Sequence, residues 1–419
     1  MLGIDLVRPL DESWREVLDA VGRAHGWPTS RDVAKLAARV AELSAAYNDS
    51  SRASARMKDA GAARLGFSFA RDVPKGAAAV RELLAVGLLA ARGPLRVLDL
   101  GAGLGAMTWG LLRARALAGT AGPVEATWVD GDGEALDLAL EIARERAKRS
   151  PGSDALTVKA VKGSVDGATA STGDWQVGGG AFDVVVVGQV LSEIDIGSTD
   201  EPRAARQAAW LQVLLERHVA PGGSLVVVEP ALRDRSRNLH RVRDAVVGAG
   251  ATVFAPCTHR EGCPALRDER DWCHEDLRVD LPPWLVPVAR AAGLRYEGLT
   301  FSYLVLRRDG ATLGRLAGSP AEKVYRVVSD RIRSKGKIEL FLCGELEAAG
   351  GAHVAARART VRLDRHATPG NVDWERLVRG DLVTVGPAPS LERPRIEEAS
   401  HVRATGALGS LGEPRENQG

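Results

Sequence analysis

The seven residues D-L-G-A-G-L-G, Asp99 to Gly105, constrain the fold more than any other stretch of this chain. They separate a short apolar run, Pro94 to Leu100, from a segment of helical periodicity reaching about Ala118. A strand that passes through a glycine-rich turn directly into a helix is the opening unit of a parallel α/β sheet. Glycines at 101, 103 and 105 permit left-handed backbone and let the chain approach a ligand closely, at the positive end of the following helix. A second strand, Glu125 to Asp130, ends on an acid able to accept both hydroxyls of a ribose. The same letters fit the G-x-G-x-x-A dinucleotide fingerprint, so a nicotinamide ligand stays open here, as does a turn without any ligand.

Further α/β units follow. A helix is expected from about Glu134 to Lys148, a third strand from Leu156 to Asp166 and a fourth from Phe182 to Leu191. The fourth is apolar throughout, as in strands buried on both faces of a parallel sheet. A helix from about Ala204 to His218, the strand SLVVVEP, and later strands Ala251–Cys257 and Phe301–Arg308 complete the pattern. The expected organisation is a helical N-terminal region (1–90), an α/β domain (91–308), a small β-rich domain (309–387) and a disordered tail (388–419). In the first region, Val33, Leu36, Ala37, Val40, Leu43 and Ala46/Tyr47 share one helical face. The polar stretch 48–64 reads as a surface helix or mobile arm. Asp166, after the third strand, stands where a side chain meets an adenine edge. Gln189, Ser192 and Glu193 follow the fourth strand, at the edge where open sheets hold substrates; Ser192 and Glu193 equally suit the cap of the next helix.

Composition removes several classes. With 419 residues, 45% hydrophobic and 26% charged, the chain is expected to form two or three globular units. No run approaches the ~20 apolar residues of a membrane-spanning helix. Met1 to Trp14 shows no secretory or mitochondrial leader, so a cytoplasmic location is expected, and the Ala/Gly/Arg-heavy usage points to a bacterial one. Net charge is only +2, and only nine lysines stand among the 56 basic residues. The arginine bias suits phosphate recognition, although a GC-rich genome produces it too. From Lys323 to Arg379, twelve basic residues face seven acidic ones, a surface suited to phosphate contacts or simply to solvent.

All four cysteines, Cys257, Cys263, Cys273 and Cys343, fall in one window, the first three in a polar loop (an insertion of about 257–295). Without a leader they are expected to be free, catalytic or metal-bound thiols rather than disulfides. Four thiolates satisfy either tetrahedral zinc or an iron–sulfur cluster. The wide gaps lean toward the cluster, and His259 and His274 are spare ligands.

VLDLGAGLGAMTWG, APC-x5-CP, DWCH, FSYLVLRR and a last cysteine on a C-terminal strand together resemble the small-ribosomal-subunit methyltransferase-like family, over about residues 30–385. The resemblance implies a class I S-adenosylmethionine-dependent methyltransferase (Rossmann-like) sheet, whose pattern places a carboxylate at Asp99, two residues before the first glycine. S-adenosylmethionine would then lie on Asp99, Gly101, Gly103, Gly105, Asp130 and Asp166. A [4Fe–4S] cluster would be held by Cys257, Cys263, Cys273 and Cys343, with small-subunit rRNA as partner. Catalytic candidates are Gln189, Ser192 and Glu193. The fourth strand ends in GQVLSE, without the N-P-P-[FY] of amino-methylating enzymes, and no cysteine is spare for the covalent route to pyrimidine C5. A non-catalytic assembly factor is therefore the rival reading, and a small-molecule methyltransferase with a zinc site a weaker one.

Overall fold

The computed structural model describes residues 6–48, 60–89, 93–150, 155–165, 175, 177, 181–194, 199–317 and 323–404. Asp166, most of the 48–64 arm and the last fifteen residues lie outside them.

Four helices come first: α1 (Glu12–Ala24), α2 (Val33–Asn48), α3 (Ala60–Ala63) and α4 (Phe69–Ala85), with a π turn at Arg64–Ser68 joining the last two. Asp11 starts α1 by accepting the Ser13 and Trp14 N–H groups, donors that a helix start leaves unpaired. In α2, Leu36, Ala37, Val40 and Leu43 are buried but Tyr47 is exposed, so the apolar stripe stops a turn early.

The sheet comprises β1 (Leu95–Leu100), β2 (Val124–Asp130), β3 (Leu156–Lys162), β4 (Phe182–Gly188), β5 (Val219–Glu229), β6 (Thr252–Ala255), β7 (Glu275–Leu277) and β8 (Leu299–Arg307). Helices α5 (Ala106–Leu117), α6 (Gly133–Arg149), α7 (Asp200–Arg217), α8 (Arg233–Gly248) and α9 (Val286–Ala291) connect them. The order is β3-β2-β1-β4-β5-β8-β6, with β7 added on β8. β1 to β5 pair in parallel, whereas β8 runs antiparallel to β5, β6 and β7. Side chains alternate across the sheet. Leu95 and Val97 therefore join the core that includes the N-terminal helices, and Leu98 and Leu100 join the core on the other face. The N-terminal helices thus share a core with the sheet instead of forming a unit of their own. Helix α4 lies directly on α5 because glycines meet at the crossing. A Cβ on Gly76 would come within 2.6 Å of the Met107 carbonyl, and one on Gly110 within 2.3 Å of the Val73 carbonyl.

Beyond a short helix α10 (Leu313–Ala317) lie β9 (Lys323–Val327), β10 (Ile332–Ser334), β11 (Lys337–Glu347), β12 (His353–Leu363), β13 (Leu382–Gly386), β14 (Arg395–Ile396) and β15 (His401–Ala404). They form a second sheet, β14-β12-β11-β9-β13-β15 with β10 on β11, around a core of Tyr325, Leu340, Leu342 and Trp374. The expected disordered tail, 388–419, is corrected as far as residue 404, and its remainder lies outside the described residues. β14 and β15 add to the edges of this sheet and bury Ile396 and Val402. Two isolated apolar side chains suffice because the partner strands supply the remaining order, which composition does not reveal. Among the described residues, no helix is long and apolar enough to cross a membrane.

Candidate functional site

The turn after β1 is built by backbone hydrogen bonds. The Val129 carbonyl accepts both Gly101 N–H (2.8 Å) and Ala102 N–H (3.1 Å), and Gly105 N–H donates to the Ala102 carbonyl at 2.7 Å. Gly101, Gly103 and Gly105 all have positive φ, the region that side chains disfavour. Their surroundings differ. A Cβ on Gly101 would strike Val190, and one on Gly105 would strike Trp128, whereas Gly103 faces open space. Asp130, at the end of β2, accepts Gly103 N–H on one carboxylate oxygen (2.7 Å) and Asp132 N–H on the other (2.8 Å). It therefore fixes the turn as well as facing the ligand side.

Asp99 lies beneath the turn, buried and away from the cavity wall. Trp128 Nε1 donates to Thr108 Oγ1 at 3.0 Å, and Thr108 Oγ1 donates onward to Asp99 Oδ2 at 2.7 Å. Asp99 Oδ1 has no partner among the described residues. Burial pushes the Asp99 carboxyl up to about 7 against the Thr108 bonds, with the nearby Asp130 charge adding to the rise. Asp99 thus braces the start of α5 from below, accepting Thr108 N–H at 3.3 Å as well as its hydroxyl.

The turn opens into a cavity of ≈ 940 Å³, bounded by α2, α4, the ends of β2 and β4, and residues of the 279–300 segment. Gln189, Ser192 and Glu193 line it. Gln189 is the only non-glycine with positive φ among the described residues (61°), a strained state of the kind that collects at functional sites. Its Nε2 donates to Asp72 Oδ2 at 3.1 Å. Ser192 N–H and Leu191 N–H donate to Glu229 at 3.2 and 2.9 Å. Helix α7 starts at Asp200 after Thr199, so Ser192 and Glu193 do not cap it.

Sequence reasoning missed Asp72, Lys75 and Glu229. Asp72 and Lys75 pair at 2.8 Å on α4, both buried. Burial alone would raise the Asp72 carboxyl, but Lys75 and Arg71 overcome it and bring the pKa down to about 2. Burial pushes Glu229 up to about 7. The available signals were a buried-looking helix, FARDVPKGAAAV, carrying opposite charges three residues apart, and an acid at the carboxyl end of a parallel strand.

The cysteines do not line this cavity. Cys257 follows β6, Cys263 precedes a short 3-10 turn, Cys273 precedes β7 and Cys343 sits within β11. Burial, reinforced by neighbouring thiols, raises Cys263 and Cys343; Cys343 feels all three others and Cys263 feels Cys257 and Cys273. Burial also raises Cys273, to about 11. Among the described residues, no three His, Cys, Asp or Glu side chains stand in metal-holding geometry.

Arginines organise this loop. Cys343 pairs in register with Arg326 on β9 and Arg357 on β12. Arg326 Nε donates to the Pro256 carbonyl at 3.0 Å, beside Cys257. Arg357 donates to Asp271 (2.5 Å) and to the Trp272 carbonyl (3.5 Å), beside Cys273. From α8, Arg237 donates to the carbonyls of Ala265, Asp268 and Asp271, and Arg243 to those of His259 and Glu261. Arg326 also pairs with Glu82 at 2.5 Å, Glu82 accepts Tyr303 Oη–H at 2.8 Å, and Arg81 pairs with Glu275, all buried. This network joins α4, β7, β8 and β9.

A parallel sheet in this order, closed by one reversed strand and carrying the glycine turn after β1, defines a class I methyltransferase fold. The chain belongs to the family described as mitochondrial small ribosomal subunit Rsm22, whose sequence profile matches residues 78–366. No curated protein matches it. Similar solved structures include a precorrin-6y C5,15-methyltransferase from Geobacter metallireducens, 14% identical over 55% of this chain and 88% of that one, with TM-score 0.28. The plantazolicin methyltransferase BpumL with SAH is 11% identical, covering 66% and 98%, with TM-score 0.34. A SAM-dependent methyltransferase from Thiobacillus denitrificans with S-adenosyl-L-homocysteine is 22% identical, covering 36% and 48%, with TM-score 0.23. Similarity at this level carries no weight beside the strand order itself.

Proposed function

We propose that the protein is an S-adenosylmethionine-dependent methyltransferase of small-subunit rRNA. The observation that carries this reading is the prebuilt turn at Gly103, open on its ligand side and held by Asp130 within a class I sheet. Gly101 to Gly105 would bind the carboxylate end of the cofactor at the start of α5, and Asp130 its ribose. Asp166 keeps its proposed place at the adenine edge. Gln189, Ser192 and Glu193, at the end of β4, would orient the methyl acceptor. The cofactor supplies an activated methyl group. The protein's part is positioning and exclusion of water.

Four cysteine sulfurs close enough to act on one another suit a metal by donor type, while burial holds Cys263, Cys273 and Cys343 as thiols. We assign them to an iron–sulfur cluster, with zinc as the alternative. Such a centre would cross-link the 257–273 loop to the β-rich domain. Much of the basic excess in that domain is used internally, since Arg326 and Arg362 are buried and Arg357 is bonded to the loop. Of the exposed basic residues, Arg331, Arg333 and Lys335 gather on the β10–β11 hairpin and suit an RNA backbone, while Arg359, Arg365 and Arg376 lie elsewhere on the domain.

The test is transfer of labelled methyl groups to purified small ribosomal subunits by the wild type and by Asp130→Ala. Transfer by the first and loss in the second is expected. Cofactor binding with no transfer would favour the non-catalytic assembly factor, to which the missing N-P-P-[FY] already points. An anaerobic absorption spectrum with metal analysis separates cluster from zinc.

A further inference from the structure

We infer that the N-terminal helices complete the cofactor site: the Tyr47 ring, in the last turn of α2, stacks on the adenine of S-adenosylmethionine, and Arg64 holds that ring in position. The inference rests on the methyltransferase reading and goes further. It assigns the base to residues that precede the stretch matched to the family, 78–366, so nothing in that match carries them.

Tyr47 is 44% exposed, one turn beyond the point where the apolar stripe of α2 ends, and it lines the cavity. An exposed side chain at a helix end ordinarily moves between rotamers on a short timescale. This one is held at both ends. Its hydroxyl accepts a hydrogen bond from the Arg64 guanidinium, and its carbonyl accepts Arg235 Nη2–H at 3.1 Å from the start of α8. The ring itself keeps an open face toward the cavity.

Arg64 ties the ring to the ribose side of the site. It belongs to the π turn Arg64–Ser68, which lines the same cavity with Phe67 and Ser68. Turns of this kind insert one residue into a helix and collect at functional sites. Arg64 Nη1 donates to Asp132 Oδ2 at 2.9 Å, and Asp132 N–H donates to Asp130 Oδ1 at 2.8 Å. Three links therefore run from the Tyr47 hydroxyl to the acid assigned to the ribose. In the cofactor, the base and the amino-acid chain leave the ribose from opposite ends. With the amino-acid chain at Gly101 to Gly105, the base lies beyond Asp130, toward Ser164 and Val165 at the end of β3. Tyr47 is the exposed aromatic ring bonded into that corner. Because Asp132 and the Tyr47 hydroxyl both engage Arg64, its guanidinium is held at the ring's edge and leaves the face to a base. Every base has a π face, so the stack supplies affinity and leaves recognition of the adenine edge to other groups.

The test is calorimetric titration of S-adenosylhomocysteine into the intact protein and two variants, with NMR of tyrosine-labelled protein to locate the base. Tyr47→Ala should weaken binding by about fivefold to 100-fold, the range for losing one base–aromatic stack. Tyr47→Phe keeps the ring and loses only the bond to Arg64, so a loss of about twofold to threefold is expected. Cross-relaxation between the adenine protons and one tyrosine ring should appear in the wild type and vanish in Tyr47→Ala. Binding by Tyr47→Ala within about twofold of the wild type, or adenine without a tyrosine neighbour, would overturn the inference. So would a loss in Tyr47→Ala confined to a single-stranded RNA oligonucleotide, which would give the ring to the acceptor base. Failure of the wild type to bind S-adenosylhomocysteine would instead overturn the methyltransferase reading beneath it.

Discussion

The glycine turn and the cysteine loop are both irregular segments that leave a strand, yet they are ordered in different ways. Residues 101–105 are fixed by neighbours in the same α/β unit: the Val129 carbonyl, the Asp130 carboxylate and the start of α5. Residues 257–273 are fixed from a distance by arginines on α8, β9 and β12. A site built from local backbone bonds carries its own signature in sequence. A site held by remote guanidinium groups does not.

The sharpest way to break this contrast is Arg326→Met. It removes the Pro256 contact and leaves Glu82 buried without its main partner. Breaking a buried pair from one side costs about 3–5 kcal/mol. Denaturant unfolding should show that loss, and a cost under about 1 kcal/mol would mean that other contacts order the loop.

A smaller effect is expected at the turn. The Asp99 carboxyl is raised, so between about pH 4 and 7 the folded chain keeps a proton that the unfolded chain has released. Stability therefore falls as pH rises through that window and stays lower above it. Asp99→Asn should stabilise the protein on the order of 1–3 kcal/mol at pH 8 and have little effect near pH 4. Thermal melts across pH check the sign; a variant equally unstable at both values would show that Asp99 is not held neutral by burial.

The glycine turn, its flanking strands and the β-rich character of residues 309–387 were legible because each rests on local pattern. The pairing of Cys343 with two arginines was not, since register across β9, β11 and β12 appears only on folding. Asp72 and Lys75 escaped for a related reason. Their helix reaches the turn only through the close approach at Gly76 and Gly110. The arginines that hold the cysteine loop escaped as well, since they are remote from it in sequence.

These arginine contacts yield the next outcome. Cys343→Ser should abolish metal binding, yet alter the stability of the metal-free chain by no more than about 1 kcal/mol, because the arginine bonds remain. Hydrogen exchange of the 257–273 amides would report it; wholesale loss of protection in the variant would return the ordering role to the metal. The smallest change is expected at the half-exposed His25–Glu141 pair on the surface (2.7 Å), where Glu141→Gln should shift unfolding by less than about 0.5 kcal/mol. A larger shift would show that α1 depends on this pair more than on its buried face.

The most direct measurement is calorimetric titration of S-adenosylmethionine into the wild type and Gly103→Val. Gly103 has positive φ and open space beyond it, so a valine there costs about 1–2 kcal/mol of stability and projects into the ligand's side of the turn. The wild type should bind one equivalent, and the variant should remain folded and bind none. Equal affinity in both proteins would remove the glycine turn from the site and contradict the proposed function.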